Sequence, residues 1–135
     1  MEINSNITGV LFLVSGLCYA TPSSFEACSR PELNSVDIYE CSTQETKRAD
    51  RALNESYIEL IERIAAEYHS DIKAGNELLN KIRDSQRAWI KLRDKNCLIE
   101  TFVIAPGTLA FETTRNSCIT KETTLRTRYL NELRF

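Results

Sequence analysis

Four side chains with chemical capacity fall on one helical face near the middle of this chain: Gln86, Trp89, Arg93 and Cys97. Steps of three and four residues place them, with Ile82 ahead of them, on a single stripe of a helix. A stripe in that position is ordinarily apolar, yet this one carries an amide, an indole, a guanidinium and a thiol. An Arg on an inward face needs an anion, because it is almost never fully buried unless paired. The chemistry on offer is charge-assisted hydrogen bonding and thiol oxidation, not proton transfer.

The anion must come from another element, and the apolar periodicity says which. Leu53, Tyr57, Leu60, Ile64 and Tyr68 recur at helical spacing in a stretch without Pro or Gly. A first helix therefore starts after Asn34 or Ser35, with Asp37 placed against its N-terminal dipole, and runs to about Tyr68. His69-Ser70-Asp71 to Gly75-Asn76 reads as a turn, and a second helix runs from about Asn76 to Thr101. In an antiparallel hairpin turning there, facing residues have numbers summing to about 143. Asp50 then faces Arg93, Asn54 faces Trp89 and Tyr57 faces Gln86. The expectation is a partly buried structural layer of Asp50, Asn54, Tyr57, Gln86, Trp89 and Arg93. In it Asp50 holds Arg93 while Asn54 and Gln86 take its remaining donors.

Ala105-Pro106-Gly107 breaks the chain, and a third helix is expected from about Thr113 to Leu133. Its inward face has two candidates: Cys118, Glu122, Leu125, Tyr129 and Leu133, or Ile119, Arg126 and Leu130. The fold class is all-α: a small three-helix domain with a long antiparallel helical hairpin.

Residues 1–20 read as a signal peptide, and residues 21–135 as a single domain. Ile7 to Leu17 is an apolar run too short to span a bilayer, and Tyr19-Ala20 offers cleavage after Ala20. Lipidation at Cys18 is the less favoured reading, because Leu17 is not the small residue that such a signal needs. The mature chain would be periplasmic or secreted, with no stable membrane insertion. Export leaves Cys28, Cys41, Cys97 and Cys118, which in an oxidising compartment form two disulfides. The connectivity stays open, with a slight preference for Cys28–Cys97 and Cys41–Cys118 at the open end of the hairpin.

Several function classes are disfavoured. No two cysteines are spaced as a metal-binding pair and the one His is His69, so neither a metal nor another cofactor is expected. The chain has 17 basic and 19 acidic side chains, with the half up to Gly75 net acidic and the rest net basic. That balance does not suit nucleic acid. Ser85 and Ser117 have no nearby His to act as base, and an Asp held by an Arg stays ionised and occupied. The chain reads as a binding protein and not an enzyme.

Ala49-Asp50, Leu53-Asn54 and Tyr57, followed by Gln86-Arg87-Ala88-Trp89-Ile90, Arg93-Asp94 and Cys97, resemble the LprI-like lysozyme-inhibitor N-terminal domain family. Cys118, Thr123, Arg126 and Leu130 resemble its closing Cys-Thr-Arg-Leu pattern, and Cys28 and Cys41 fall where its leading cysteines would be. The resemblance implies a small exported bacterial cell-envelope protein with a protein partner, and more specifically an inhibitor of lysozyme-type muramidases. The alternative is an immunity or accessory protein for another secreted or envelope protein. Inhibition needs an exposed segment that enters the sugar-binding cleft and meets its two carboxylates. The candidate is the linker around Ile104 to Thr114, including Ile104, where Pro106 and Gly107 project and Arg115 lies adjacent. A second candidate surface is the acidic face with Glu55, Glu59 and Glu62.

Overall fold

The computed structural model describes Cys28 and residues 30–135. The expected signal peptide, Cys18 and the cleavage position lie outside the described residues. Three helices follow one another: α1 (Ser35–Glu67), α2 (Ile72–Glu100) and α3 (Leu109–Glu132). Each starts on a side-chain cap. Asn34 Oδ1 accepts from the amides of Val36 and Asp37, while Asp37 Oδ2 accepts from the Asn34 amide, a reciprocal box that fixes the start of α1. Asp71 Oδ1 accepts from Ala74 N at the start of α2, and Thr108 Oγ1 accepts from Phe111 N at the start of α3.

α2 and α3 each begin about a turn before the positions expected from sequence. Gly75, expected in the turn, lies in the first turn of α2. A Cβ there would stand 2.9 Å from Tyr68 Cβ, so glycine is required for close packing and not for a bend. Gly107 is the turn glycine, with φ at +78° just before the Thr108 cap.

α2 runs antiparallel to both other helices. The α1–α2 register carries Asp50 opposite Arg93, and the α2–α3 register carries Gln86, Arg93 and Cys97 opposite Arg126, Thr123 and Cys118. α3 lies along α1 in the parallel sense, with Thr46 beside Thr120 and Arg63 Nη2 donating to Leu130 O.

The core changes character along the bundle. Toward the α1–α2 turn it is apolar: Leu53, Leu60, Ile64, Ile82 and Leu130 are buried, with Tyr57, Tyr68, Leu79 and Trp89 against them. Toward the other end the α1–α3 seam is built from hydroxyls and an amide. Asn116 Nδ2 donates to Ser42 Oγ and Thr43 Oγ1, both at 3.2 Å, and Thr46 Oγ1 lies 3.0 Å from Thr120 Oγ1. Thr46 Oγ1 also lies within 3.2 Å of Ser42 O and Asn116 O. Having one proton, it can donate to one of these carbonyls while accepting from Thr120.

Both disulfides sit at this hydroxyl-rich end, and their pairing corrects the preferred one. The bonds are Cys28–Cys41 and Cys97–Cys118. The arm turns back at Arg30–Leu33, where Leu33 N donates to Arg30 O, and lays Cys28 against α1. The α2–α3 register, one turn on from Arg93–Thr123, sets Cys97 against Cys118. Closing loops of 13 and 21 residues, each bridge contributes about 3 kcal/mol by the loop-entropy argument. They reinforce the end where apolar burial is least.

Candidate functional site: the Arg93 layer, the adjoining groove and the α2–α3 linker

Arg93 is the centre of the polar layer, with only 13% of its side chain exposed. Its Nη1 lies 3.5 Å from Asp50 Oδ1 and donates to Thr123 Oγ1 at 3.1 Å. Nε and Nη2 both donate to Asp94 Oδ1, at 3.0 and 2.9 Å. The donors expected to reach Asn54 and Gln86 go instead to Asp94 and Thr123. Gln86 serves a second cation: its Oε1 accepts from Arg126 Nε at 2.9 Å, and Arg126 Nη2 donates to Ser85 Oγ at 2.9 Å.

Trp89 is in contact with both cations. The Arg93 guanidinium carbon is 5.2 Å from its ring centroid and that of Arg126 is 5.6 Å away. Arg126 also stands 4.9 Å over Tyr129. Cation–π contact of this kind contributes about 0.5–2 kcal/mol according to desolvation. Burial pushes the Arg126 guanidinium below its usual pKa, an effect that Tyr129 opposes. Ser85 Oγ accepts a hydrogen bond from Arg126, and His69, at the α1–α2 turn, sets its Nδ1 against Ala66 O. The four described cysteines are consumed in disulfides and are not metal ligands.

Five of the six expected layer residues, Asp50, Asn54, Tyr57, Gln86 and Arg93, line an open groove of about 440 Å³ between α1 and α2. Arg83, Arg87 and Ile90 complete its α2 wall and Leu53 its floor. Trp89 does not line the groove; it packs toward Arg126 on α3.

The second candidate region divides. Pro106 and Gly107 are exposed, Ile104 is half-buried, and Arg115 belongs to α3. Arg115 Nη1 faces Glu112 at 4.0 Å, and its Nε is buried without a hydrogen-bond partner, so this side chain is not a loop cation. The residues that protrude are Phe102 and Val103, 86% and 91% exposed. Leu98 and Ile99, also exposed, continue the apolar surface down the last turn of α2. Two large apolar residues between a helix end and a Pro-Gly turn were the available signal for this tip.

The linker is ordered by its own hydrogen bonds. Ile104 N donates to Thr101 O, Thr108 N to Ala105 O, and the buried Thr101 hydroxyl reaches the Cys97 and Leu98 carbonyls. Cys97–Cys118 then ties its base to α3.

The family model of the lysozyme inhibitor LprI matches residues 27–130, which take in α1, α2, the linker, both disulfides and all but the last two residues of α3. The chain belongs to the LprI family. An uncharacterized protein of Rhizobium meliloti (strain 1021) is 29% identical over 126 residues, covering 87% of this chain and 88% of that protein. A DUF1311 family protein from Pseudomonas putida KT2440, known from its crystal structure, is 32% identical with a TM-score of 0.64. That match covers 70% of this chain and 88% of the other. Among the residues that carry this chain's resemblance to the family, Asp50, Gln86, Trp89, Arg93, Thr123 and Arg126 meet in the layer that ties the three helices together. The protruding Phe102-Val103 tip lies outside the residues that carry the resemblance.

Proposed function

We propose that the protein is an exported cell-envelope protein that inhibits a lysozyme-type muramidase by presenting the α2–α3 linker to its cleft. Membership of a lysozyme-inhibitor family supports the partner class, and the two disulfides suit an oxidising compartment. The observation that carries the assignment of surface is the Phe102-Val103 tip, apolar, protruding and held over a disulfide. A segment already fixed in shape loses little conformational freedom on docking, so more of its burial energy appears as affinity. Aromatic anchors are the residues that most often dominate such contacts. Phe102 would fill a sugar-binding position in the cleft, and exposed backbone groups around Pro106 and Gly107 would face the polar groups that otherwise bind the glycan. The acidic α1 residues Glu55, Glu59 and Glu62 are all exposed and form a secondary surface for a cationic enzyme.

This reading is tested by competition. A chito-oligosaccharide that occupies the muramidase cleft should displace the protein in proportion to its own occupancy. Retained binding to a sugar-saturated enzyme would place the contact elsewhere.

A further inference from the structure

The α1–α2 groove has the makings of a ligand site that muramidase inhibition does not use. Its volume, about 440 Å³, falls within the range of roughly 300–1,000 Å³ in which small-ligand sites occur. Its two walls differ in hydrogen-bonding sense. On α2, Arg83 and Arg87 stand one turn apart and are both exposed. Arg83 Nη1 is bound to the neutral Asn80 side chain, and among the described residues Arg87 is held only by Asp84 at 3.9 Å, the Arg87 and Asp84 side chains both being more than three-quarters exposed. An ion pair so loose and so wet contributes little, so Arg87 is available to a better partner. Gln86 has its oxygen engaged by Arg126, and its amide hydrogens have no partner among the described residues. On α1, the side chains of Asn54 and Tyr57 have no hydrogen-bond partner among the described residues, and the Asp50 carboxylate is half-exposed.

Donors therefore predominate on one wall and acceptors on the other, with Tyr57 and Ile90 offering apolar contact between them. We propose that this groove binds a short acidic peptide. A side-chain carboxylate would lie against Arg83, Arg87 and Gln86, where the planar guanidinium fork matches its two oxygens. A ligand backbone N–H would meet Asp50 or Asn54. The Asp50 carboxylate in the groove, with Asp84 and Asp94 held by the lining residues Arg87 and Arg93, opposes a doubly charged anion, which favours a single carboxylate over phosphate. The groove lies about two turns of α2 from the linker, so this proposal and the muramidase contact stand or fall separately.

The test is an NMR titration of the oxidised, isotope-labelled protein with acetylated and amidated Ala-Glu-Ala, and with Ala-Gln-Ala as its neutral counterpart. Saturable shifts are expected at the Asn54 and Gln86 side-chain amides and at the Arg83 and Arg87 Nε–H groups. The Gln peptide should bind about tenfold more weakly or worse, reflecting the lost charge-assisted bonds. The R83Q/R87Q variant, altered only at exposed helix positions, should retain its helical circular dichroism and lose the response. Equal affinity for both peptides, unchanged binding in R83Q/R87Q, tighter binding of inorganic phosphate, or no saturable shift at millimolar peptide would each overturn the proposal.

Discussion

Arg93 Nη1 donates to Thr123 Oγ1 at 3.1 Å, so the guanidinium that the hairpin register aims at α1 is also fastened to α3. One side chain thereby joins all three helices, with Asp50 on α1, Asp94 on α2 and Thr123 on α3. The neighbouring Asp94, and not the cross-helix Asp50, receives its two short hydrogen bonds.

That asymmetry predicts an order of effects. Asp94→Asn should destabilise the protein by about 1–2 kcal/mol, because two charge-assisted bonds weaken. Asp50→Asn should cost only about 0.2–1 kcal/mol, since its partner is 3.5 Å away and its carboxylate half-exposed. Urea unfolding of the two variants measures the difference, and Arg93→Met, which strands two acids and a hydroxyl, should exceed both.

Gly75→Ala tests the helix crossing. An alanine in an exposed helix interior stabilises by about 1 kcal/mol over glycine. Here its Cβ would meet Tyr68 Cβ at 2.9 Å, and overpacking of that kind costs about 1–3 kcal/mol. Thermal unfolding should show a net loss, and the loss should shrink in the Tyr68→Gly background, which removes the Cβ it would meet.

The hydroxyl seam predicts strong coupling. Thr46→Val or Thr120→Val alone leaves a polar partner without its bond and should cost about 1–3 kcal/mol. The double variant, which removes both members of the contact, should cost clearly less than the two singles together in a double-mutant cycle.

The disulfide pairing has a direct chemical readout. Peptide mapping without reduction should recover Cys28 joined to Cys41 and Cys97 joined to Cys118. Replacing Cys97 and Cys118 by alanine should lower stability by about 3 kcal/mol and loosen the base of the linker.

The hairpin was legible because Leu53, Tyr57, Leu60 and Ile64 keep a helical period without interruption, and a single register sum placed Asp50 opposite Arg93. The inward face of α3 was not legible from hydropathy. Leu125 and Tyr129 look like core and are about half exposed, whereas Thr120 and Thr123 look like surface and are buried. Thr123 is paired with Arg93 and Thr120 with Thr46, so each hydroxyl is satisfied by a partner many residues away. Without that face fixed, neither the Thr123 partner of Arg93 nor the Cys97–Cys118 pairing could be read. The Pro106-Gly107 break marks the linker, but the Thr108 cap starts α3 about a turn earlier than that break suggests, which places Arg115 farther along the helix.

The most direct test of the account is lysozyme-driven cell-wall lysis titrated with the oxidised protein, its F102S/V103S variant and its R83Q/R87Q variant. The account predicts stoichiometric inhibition by the parent and by R83Q/R87Q, and loss of inhibition in F102S/V103S with the helical spectrum unchanged. Undiminished inhibition by F102S/V103S, or no inhibition by the folded parent protein against several lysozyme types, would contradict it.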